Sequence, residues 1–263
     1  MMTPSAFDAF AATYDAAFTH SPLGQMLRQR VWRVLADSFL AGQSVLELAC
    51  GTGEDAVWLA QRGVAVTATD GSAAMVERTA VKAQQAHVAH LVTPLQLSLQ
   101  AIANNQLPPA HYDGAFSNFG GLNVLPDWRP LAAALAQRVR PGGHLVLVPM
   151  GPVCPWEMGW YGLHGQWQTA VRRLRQPATA RIGDAHIPIW YPTASRLRQD
   201  FAPWFRCLRV ESLGLWLPPS YLGHWVARWP RLFARLDWLE GKTGRLSGGW
   251  GDHFVMTLRR DHL

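Results

Sequence analysis

The chain has 263 residues, a formal net charge of +6, and 49% hydrophobic against 16% charged side chains. That composition supports a packed core and excludes collagen, coiled coil and disorder, and no apolar run reaches the roughly 20 residues of a membrane span. The charge is uneven, because residues 1–150 carry nine basic and ten acidic side chains whereas residues 151–263 carry fifteen and eight. Ten of the thirteen Trp also lie after Gly151, so the chain changes character there. The first residues show no basic start followed by an apolar stretch, which makes a cytoplasmic protein the default expectation. Cys50, Cys154 and Cys207 form no CxxC, so neither a disulfide framework nor a zinc site is indicated.

Residues Ser5 to Phe39 read as helices broken at Ser21 and Pro22. From Ser44 the chain alternates strand and helix, the pattern of a parallel α/β sheet. SVLELA (44–49) reads as a buried strand entering a glycine turn, EDAVWLAQR (54–62) as a short helix closed by Gly63, and VAVTATD (64–70) as the second strand. Ser72 caps a helix running to about His87. Residues 91–99 and 112–118 read as the third and fourth strands, with Asn104 to Pro109 a loop. A helix from Asp127 to Arg138 leads through a Pro141–Gly142–Gly143 turn to the strand HLVLVPM, 144–150.

After Met150 the alternation breaks. Residues 151–200 and 218–250 read as cap or lid insertions into a single domain, with AVRRLR helical and His186 to Tyr191 strand-like. A helix from Thr193 to Phe201, a strand around Cys207 to Leu217 and a last strand HFVMTLRR complete the expected fold.

Strand, E-L-A-C-G-T-G (47–53), helix, then Asp70 at the end of the second strand is a nucleotide-binding layout. Gly51 and Gly53 permit a tight turn with the backbone close to a ligand, the helix start at Glu54 offers free N–H groups, and Asp70 can accept both hydroxyls of a ribose. Two cofactor classes use this layout. A dinucleotide fingerprint wants a third glycine where this chain has Ala56, and Glu47, Glu54 and Asp55 put negative charge where a pyrophosphate would sit. A cationic sulfonium ligand suits that charge.

VLELACGTGEDAVWLA, TATDGSAAM, YDGAFSNFGGLN and RVRPGGHLVLVPM resemble the successive motifs of a class I S-adenosylmethionine-dependent methyltransferase of the small-molecule type, over residues 44–150. The resemblance implies a Rossmann-like seven-stranded sheet in the order 3-2-1-4-5-7-6, last strand antiparallel, under a helical N-terminal cover of residues 1–43. It implies that Glu47, Ala49, Gly51 and Gly53 surround the methionine part, that Asp70 holds the ribose, and that Gly71, Ser72 and Met75 border the adenine. Ser117, Asn118 and Phe119 would sit beside the sulfonium. The third strand ends LQLSLQ where the family often has an acidic residue for the adenine amino group; Ser98 and the Leu99 backbone N–H are the substitutes. Tyr14, in a segment resembling the family's N-terminal cover, would reach the carboxylate.

The second half should then supply the acceptor site, with Trp156, Tyr161, His164 and Tyr191 as contacts. His186, His224 and His253 share that region with His164, and none of the four has a charge partner at informative spacing. His164, in the glycine-flanked segment WYGLHGQW, is the candidate general base, with Tyr161, Tyr191 and His224 as rivals. The stripe YLGHWVARWPRLFARLDWLEGK (221–242) reads as a packed helix pair with solvated arginines, with a hydrophobic substrate cleft or a membrane-facing surface as alternatives. Nucleic acid is disfavoured, since lysines number two and the basic excess is modest. No metal is expected. The expected activity is methyl transfer to a small, aromatic or hydrophobic acceptor, releasing S-adenosylhomocysteine. A catalytically silent cofactor-binding scaffold and a dinucleotide-dependent reductase are the alternatives.

Overall fold

In a computed structural model that describes residues 7–182 and 185–261, the parallel strands are β1 (Ser44–Leu48), β2 (Ala65–Asp70), β3 (Val92–Gln96), β4 (Tyr112–Ser117) and β5 (Val139–Leu147). β6 (Ala178–Ile182) and β7 (Ala185–Ile189) form a separate antiparallel pair, and β8 (Phe205–Leu213) and β9 (His253–Arg260) complete the main sheet. Its order is β3-β2-β1-β4-β5-β9-β8, with β9 antiparallel to both neighbours. This is the order that the resemblance implied. Because side chains alternate along a strand, Val45, Phe116 and Val146 feed one apolar core while Leu46, Ala115 and Leu145 feed the other on the opposite face.

The helices are α1 (Asp8–Tyr14), α2 (Pro22–Ser38), α3 (Glu54–Ala60), α4 (Ala73–Gln85), α5 (Leu99–Ala103), α6 (Arg129–Arg138), α7 (Pro155–Leu163), α8 (Trp167–Ala170), α9 (Ala194–Phe201), α10 (His224–Arg228) and α11 (Pro230–Thr243). The break expected at Ser21 and Pro22 is the start of α2, where Ser21 Oγ accepts the Gly24 N–H and Pro22 opens the helix. The expected start at Ser5 lies outside the described residues.

Four local readings change. The strand expected around Cys207 to Leu217 is β8 and ends at Leu213, where Gly214 turns left-handed (φ +79°). The third strand stops at Gln96 rather than residue 99, because Ser98 Oγ accepts the Ala101 N–H and opens α5. AVRRLR is not an α-helix but holds a single 3₁₀ turn, Arg172–Leu174. The Pro141–Gly143 segment is part of β5, which starts at Val139 opposite Tyr112 and resumes after a bulge with His144 opposite Gly114. A Cβ on Gly143 would lie 2.5 Å from the Asp113 carbonyl, so that bulge requires glycine. In the Trp- and Arg-rich insert, Phe233 and Glu240 face inward on α11 while Arg231, Arg235, Trp238 and Lys242 are exposed. No helix among the described residues is long and apolar enough to cross a membrane.

Candidate active site

The glycine turn after β1 is a succession of left-handed residues: Ala49 (φ +53°), Gly51 (φ +55°) and Gly53 (φ +77°). At Gly53 a Cβ would meet the Thr79 side chain at 2.5 Å, so both the dihedral and the space demand glycine. Asp70, at the end of β2, ties this turn to the next one. Its Oδ2 accepts the Gly51 N–H and its Oδ1 the Ser72 N–H, both at 2.9 Å. Burial nevertheless raises its pKa, because the carboxylate has lost most of its water. The carboxylate keeps acceptor capacity for a hydroxyl donor.

The N-terminal helices close over this turn. Thr52 donates to Asp15 Oδ1 at 2.6 Å, Lys82 pairs with Asp15 at 3.1 Å and with Glu54 at 2.8 Å, and Ser72 donates to Asp8. The clasp buries the Tyr14 hydroxyl, and that burial pushes its pKa up to about 12.

Between core, cover and cap lies a cavity of about 680 Å³, within the range of small-molecule sites. Glu47 lines its inner wall and is only 2% exposed. Burial, then the nearby Asp55 carboxylate, raise its pKa well above the ordinary value, and its Oε2 has no hydrogen-bond partner. Arg28, from α2, reaches the same wall: Nη1 bonds Asp55 at 2.6 Å, Nε is unpartnered, and the guanidinium lies 4.9 Å from the Phe119 ring centre. Asn118 Nδ2 also bonds Asp55, at 2.9 Å, leaving its own Oδ1 unpartnered. Unsatisfied buried groups of this kind are costly. An unpaired acid calls for a cationic donor, an unpaired guanidinium N–H for an acceptor, and Asp70 for a diol. The donor set therefore fits S-adenosylmethionine, with its ammonium, carboxylate and ribose. It does not fit a pyrophosphate, because Glu54 and Asp55 fill the first turn of α3.

Phe119 also lines the cavity. It adopts φ +50°, a rare conformation for a bulky residue, and is held between Phe18 (ring centres 5.0 Å apart) and His253 (5.8 Å). The cavity lining also includes Val124, Leu125, Met150, Ile187, Ile189, Tyr191 and Tyr221, together with Arg172, Arg173, Asp252 and His253. Two links fix this lining. Asn123 donates to the carbonyls of Met150 and Trp190 and accepts the Met150 N–H, joining β5 to the segment after β7. Arg173 binds Glu157 at 2.8 Å, Asp252 Oδ1 at 2.6 Å and the Asp252 carbonyl at 3.0 Å. Arg172 takes the other Glu157 oxygen at 2.8 Å.

Of the residues singled out from the sequence, Tyr14, Glu47, Ala49, Gly51, Asp70 and Gly71 line the cavity, as do Met75, Ser98, Leu99, Asn118, Phe119 and Tyr191. Others do not. Gly53 shapes the turn behind the wall, Ser72 spends its hydroxyl as the α4 cap, and Ser117 is buried against Gly121. Trp156 packs against Trp225 and Phe233, and Tyr161 lies behind the cavity wall against Tyr221 and Arg172. His164 is exposed at the end of α7, its Nδ1 2.7 Å from the Trp160 carbonyl, so it is removed from the acceptor site. His224 is exposed at the start of α10. Arg28, Arg173 and His253 were missed as site residues. Their partners Asp55, Glu157 and Asp252 are visible only in three dimensions, save Asp252, whose adjacency to His253 at the head of an apolar strand was a readable signal.

Residues 45–143 match the family model described as a methyltransferase domain. A demethylmenaquinone methyltransferase from Mycolicibacterium paratuberculosis (strain ATCC BAA-968 / K-10) is 33% identical over 146 residues, 54% of this chain and 57% of that protein. The match thus spans little more than half of that relative's length. Among solved structures, the CcbJ methyltransferase from Streptomyces caelestis superposes with a TM-score of 0.62 at 17% identity, over 98% of this chain and 99% of that one. Magnesium protoporphyrin IX methyltransferase from Synechocystis PCC 6803 with bound SAH gives 0.54 at 17% identity, over 90% and 82%. At these identities the structural likeness establishes the fold.

Proposed function

We propose that this chain, whose residues 45–143 match the methyltransferase-domain family model, is a class I S-adenosylmethionine-dependent methyltransferase that transfers a methyl group to a small apolar acceptor held between Phe119 and the cap. One observation carries the reading: a single cavity is lined both by unsatisfied charged groups at Glu47 and Arg28 and by apolar side chains such as Phe119, Val124 and Ile187. S-adenosylmethionine, when bound, supplies a methyl group on a positively charged sulfur. Glu47 and Arg28 would hold its ammonium and carboxylate, Asp70 its ribose, and Met75, Ser98 and Leu99 its adenine. The N-terminal clasp excludes water, and the fixed cap orients the acceptor for in-line attack, so orientation supplies most of the rate. Trp156, Tyr161 and His164 leave this scheme, because packing and exposure account for them; Tyr191 stays as an acceptor contact.

A silent cofactor-binding scaffold would need no acceptor space, and the apolar lining favours an enzyme over it. The test is incubation of the full chain with methyl-labelled S-adenosylmethionine and a library of phenols, amines and lipids, read by mass spectrometry. Label in an acceptor together with released S-adenosylhomocysteine is expected; cofactor binding without transfer to any member would favour the scaffold.

A further inference from the structure

β9 runs against the parallel strands, so its first residue, His253, lies at the edge where those strands end, bridged to Met150 and lining the cavity. The residue is only 6% exposed, and its ring meets Phe119 edge-on. Its Nδ1 is enclosed and lies 3.2 Å from Asp252 Oδ2, in ion-pair range though off the line of a hydrogen bond. Nε2 makes no hydrogen bond and is not enclosed by protein. A carboxylate on the Nδ1 side favours the tautomer whose lone pair is on Nε2, the arrangement of an oriented general base.

The surrounding charges constrain what that base serves. Sharing the cavity wall with His253 are Asp252 beside it, Arg172 and Arg173 from the 3₁₀ turn, Tyr191 after β7 and Tyr221; Glu157 from α7 pairs with the two guanidiniums, and the buried Cys154 lies near Asp252. Burial opposes ionisation of Asp252, yet the Arg173 guanidinium and then His253 hold its carboxyl well below the usual range. Among the described residues of this cluster two guanidiniums therefore meet two carboxylates, which leaves no net charge there for an ionic acceptor. An ammonium, carboxylate or phosphate group would be desolvated there without a partner. Apolar walls with the Phe119, Tyr191 and Tyr221 rings suit a neutral aromatic body. A phenolic hydroxyl is acidic enough to pass its proton to a positioned imidazole as the new bond forms.

We propose that the acceptor is an aromatic alcohol and that His253, oriented by Asp252, takes its hydroxyl proton. This rests on the methyl-transfer reading above. As the O–H proton moves to Nε2, the oxygen electron pair forms the bond to the methyl carbon. The carbon–sulfur bonding pair stays on sulfur, leaving a neutral thioether. The imidazolium faces Asp252 until its proton returns to water. Products are the methyl ether and S-adenosylhomocysteine.

The experiment uses the full chain and 4-nitrophenol, whose colour reports its ionisation. With S-adenosylhomocysteine bound, at a pH below the probe's own pKa, the wild type should bind the probe and shift it to phenolate. His253→Gln should bind S-adenosylhomocysteine as the wild type does, which shows that it is folded, and should leave the bound probe neutral. With S-adenosylmethionine it should form the ether about 10²- to 10⁴-fold more slowly, and free imidazole should restore turnover to His253→Ala. Phenolate formation or near-normal transfer by His253→Gln would overturn the role of His253. A wild type that binds S-adenosylhomocysteine but not the probe would overturn the acceptor class. A wild type that binds neither would overturn the methyl-transfer reading beneath both.

Discussion

Around Glu47 the cavity wall leaves Glu47 Oε2, Arg28 Nε and Asn118 Oδ1 unsatisfied, whereas around Arg173 two guanidiniums and two carboxylates are matched at 2.6–2.8 Å. Arg173, Glu157 and Asp252 are buried as deeply as Glu47, Arg28 and Asn118, so burial alone does not explain the difference. A buried polar group without a partner costs free energy in the free protein and returns it when a ligand supplies the partner. A matched cluster returns nothing and acts as scaffold. The core half is therefore built to receive a charged ligand, and the cap half to hold a shape.

Removing the clamp breaks the scaffold half most severely. Arg173→Met strands Asp252 and weakens the hold on Glu157, and should cost about 3–5 kcal/mol of stability in urea denaturation. S-adenosylhomocysteine affinity of the folded fraction should change little. If cofactor affinity collapses with the clamp, the halves are not separable.

In the receiving half, Glu47→Gln should weaken S-adenosylhomocysteine binding by about 1.5–3 kcal/mol by removing a charge-assisted bond. Its effect on the free protein has the opposite sign. Burial, then Asp55, raise the folded-state pKa of Glu47 above its unfolded value of about 4.3. Ionising it therefore costs stability, and that cost grows as pH rises from about 4.3 through the folded value and stays constant above it. Thermal melts across pH should show the variant gaining on the wild type over that rise; parallel curves would mean that Glu47 is already partnered.

Asp252 runs the other way. Its depressed pKa contributes stability that is fully present above about 3.9 and is lost as pH falls toward the folded value. The wild type should lose cap packing on acidification in that window, and Asp252→Asn should flatten that loss.

Asn123→Ala leaves the Met150 and Trp190 backbone groups unpaired and should cost about 1–3 kcal/mol. The smallest effect belongs to His164→Ala, expected within about 0.5 kcal/mol by denaturation and without change in cofactor binding, because the side chain is exposed and outside the cavity. A large loss of turnover there would restore it to the mechanism.

The same division decides what the sequence could reveal. The β1 turn is a local device: Gly51, Gly53 and Asp70 take their roles within one strand–helix–strand unit, and the sheet order was implied by the family resemblance that four motifs carry. Ser98 shows the limit of local reading, since LQLSLQ satisfies a strand pattern while its serine opens a helix. Other roles arise from distant pairs, in the cap Arg173 with Asp252, 79 residues apart, and in the receiving half Arg28 with Asp55, 27 apart. No periodicity announces those pairs. His164 drew attention because glycines and aromatics flank it, yet His253 reaches the cavity because an antiparallel strand begins there.

The receiving half bears the central claim, and calorimetry of the full chain with S-adenosylhomocysteine, with NADH as the competing ligand class, tests it most directly. The account predicts saturable binding of S-adenosylhomocysteine that Asp70→Ala weakens, with stabilisation of about 2.7 kcal/mol at a hundredfold excess over Kd, and no binding of NADH. Binding of NADH in place of S-adenosylhomocysteine, or equal affinity in Asp70→Ala, would contradict it.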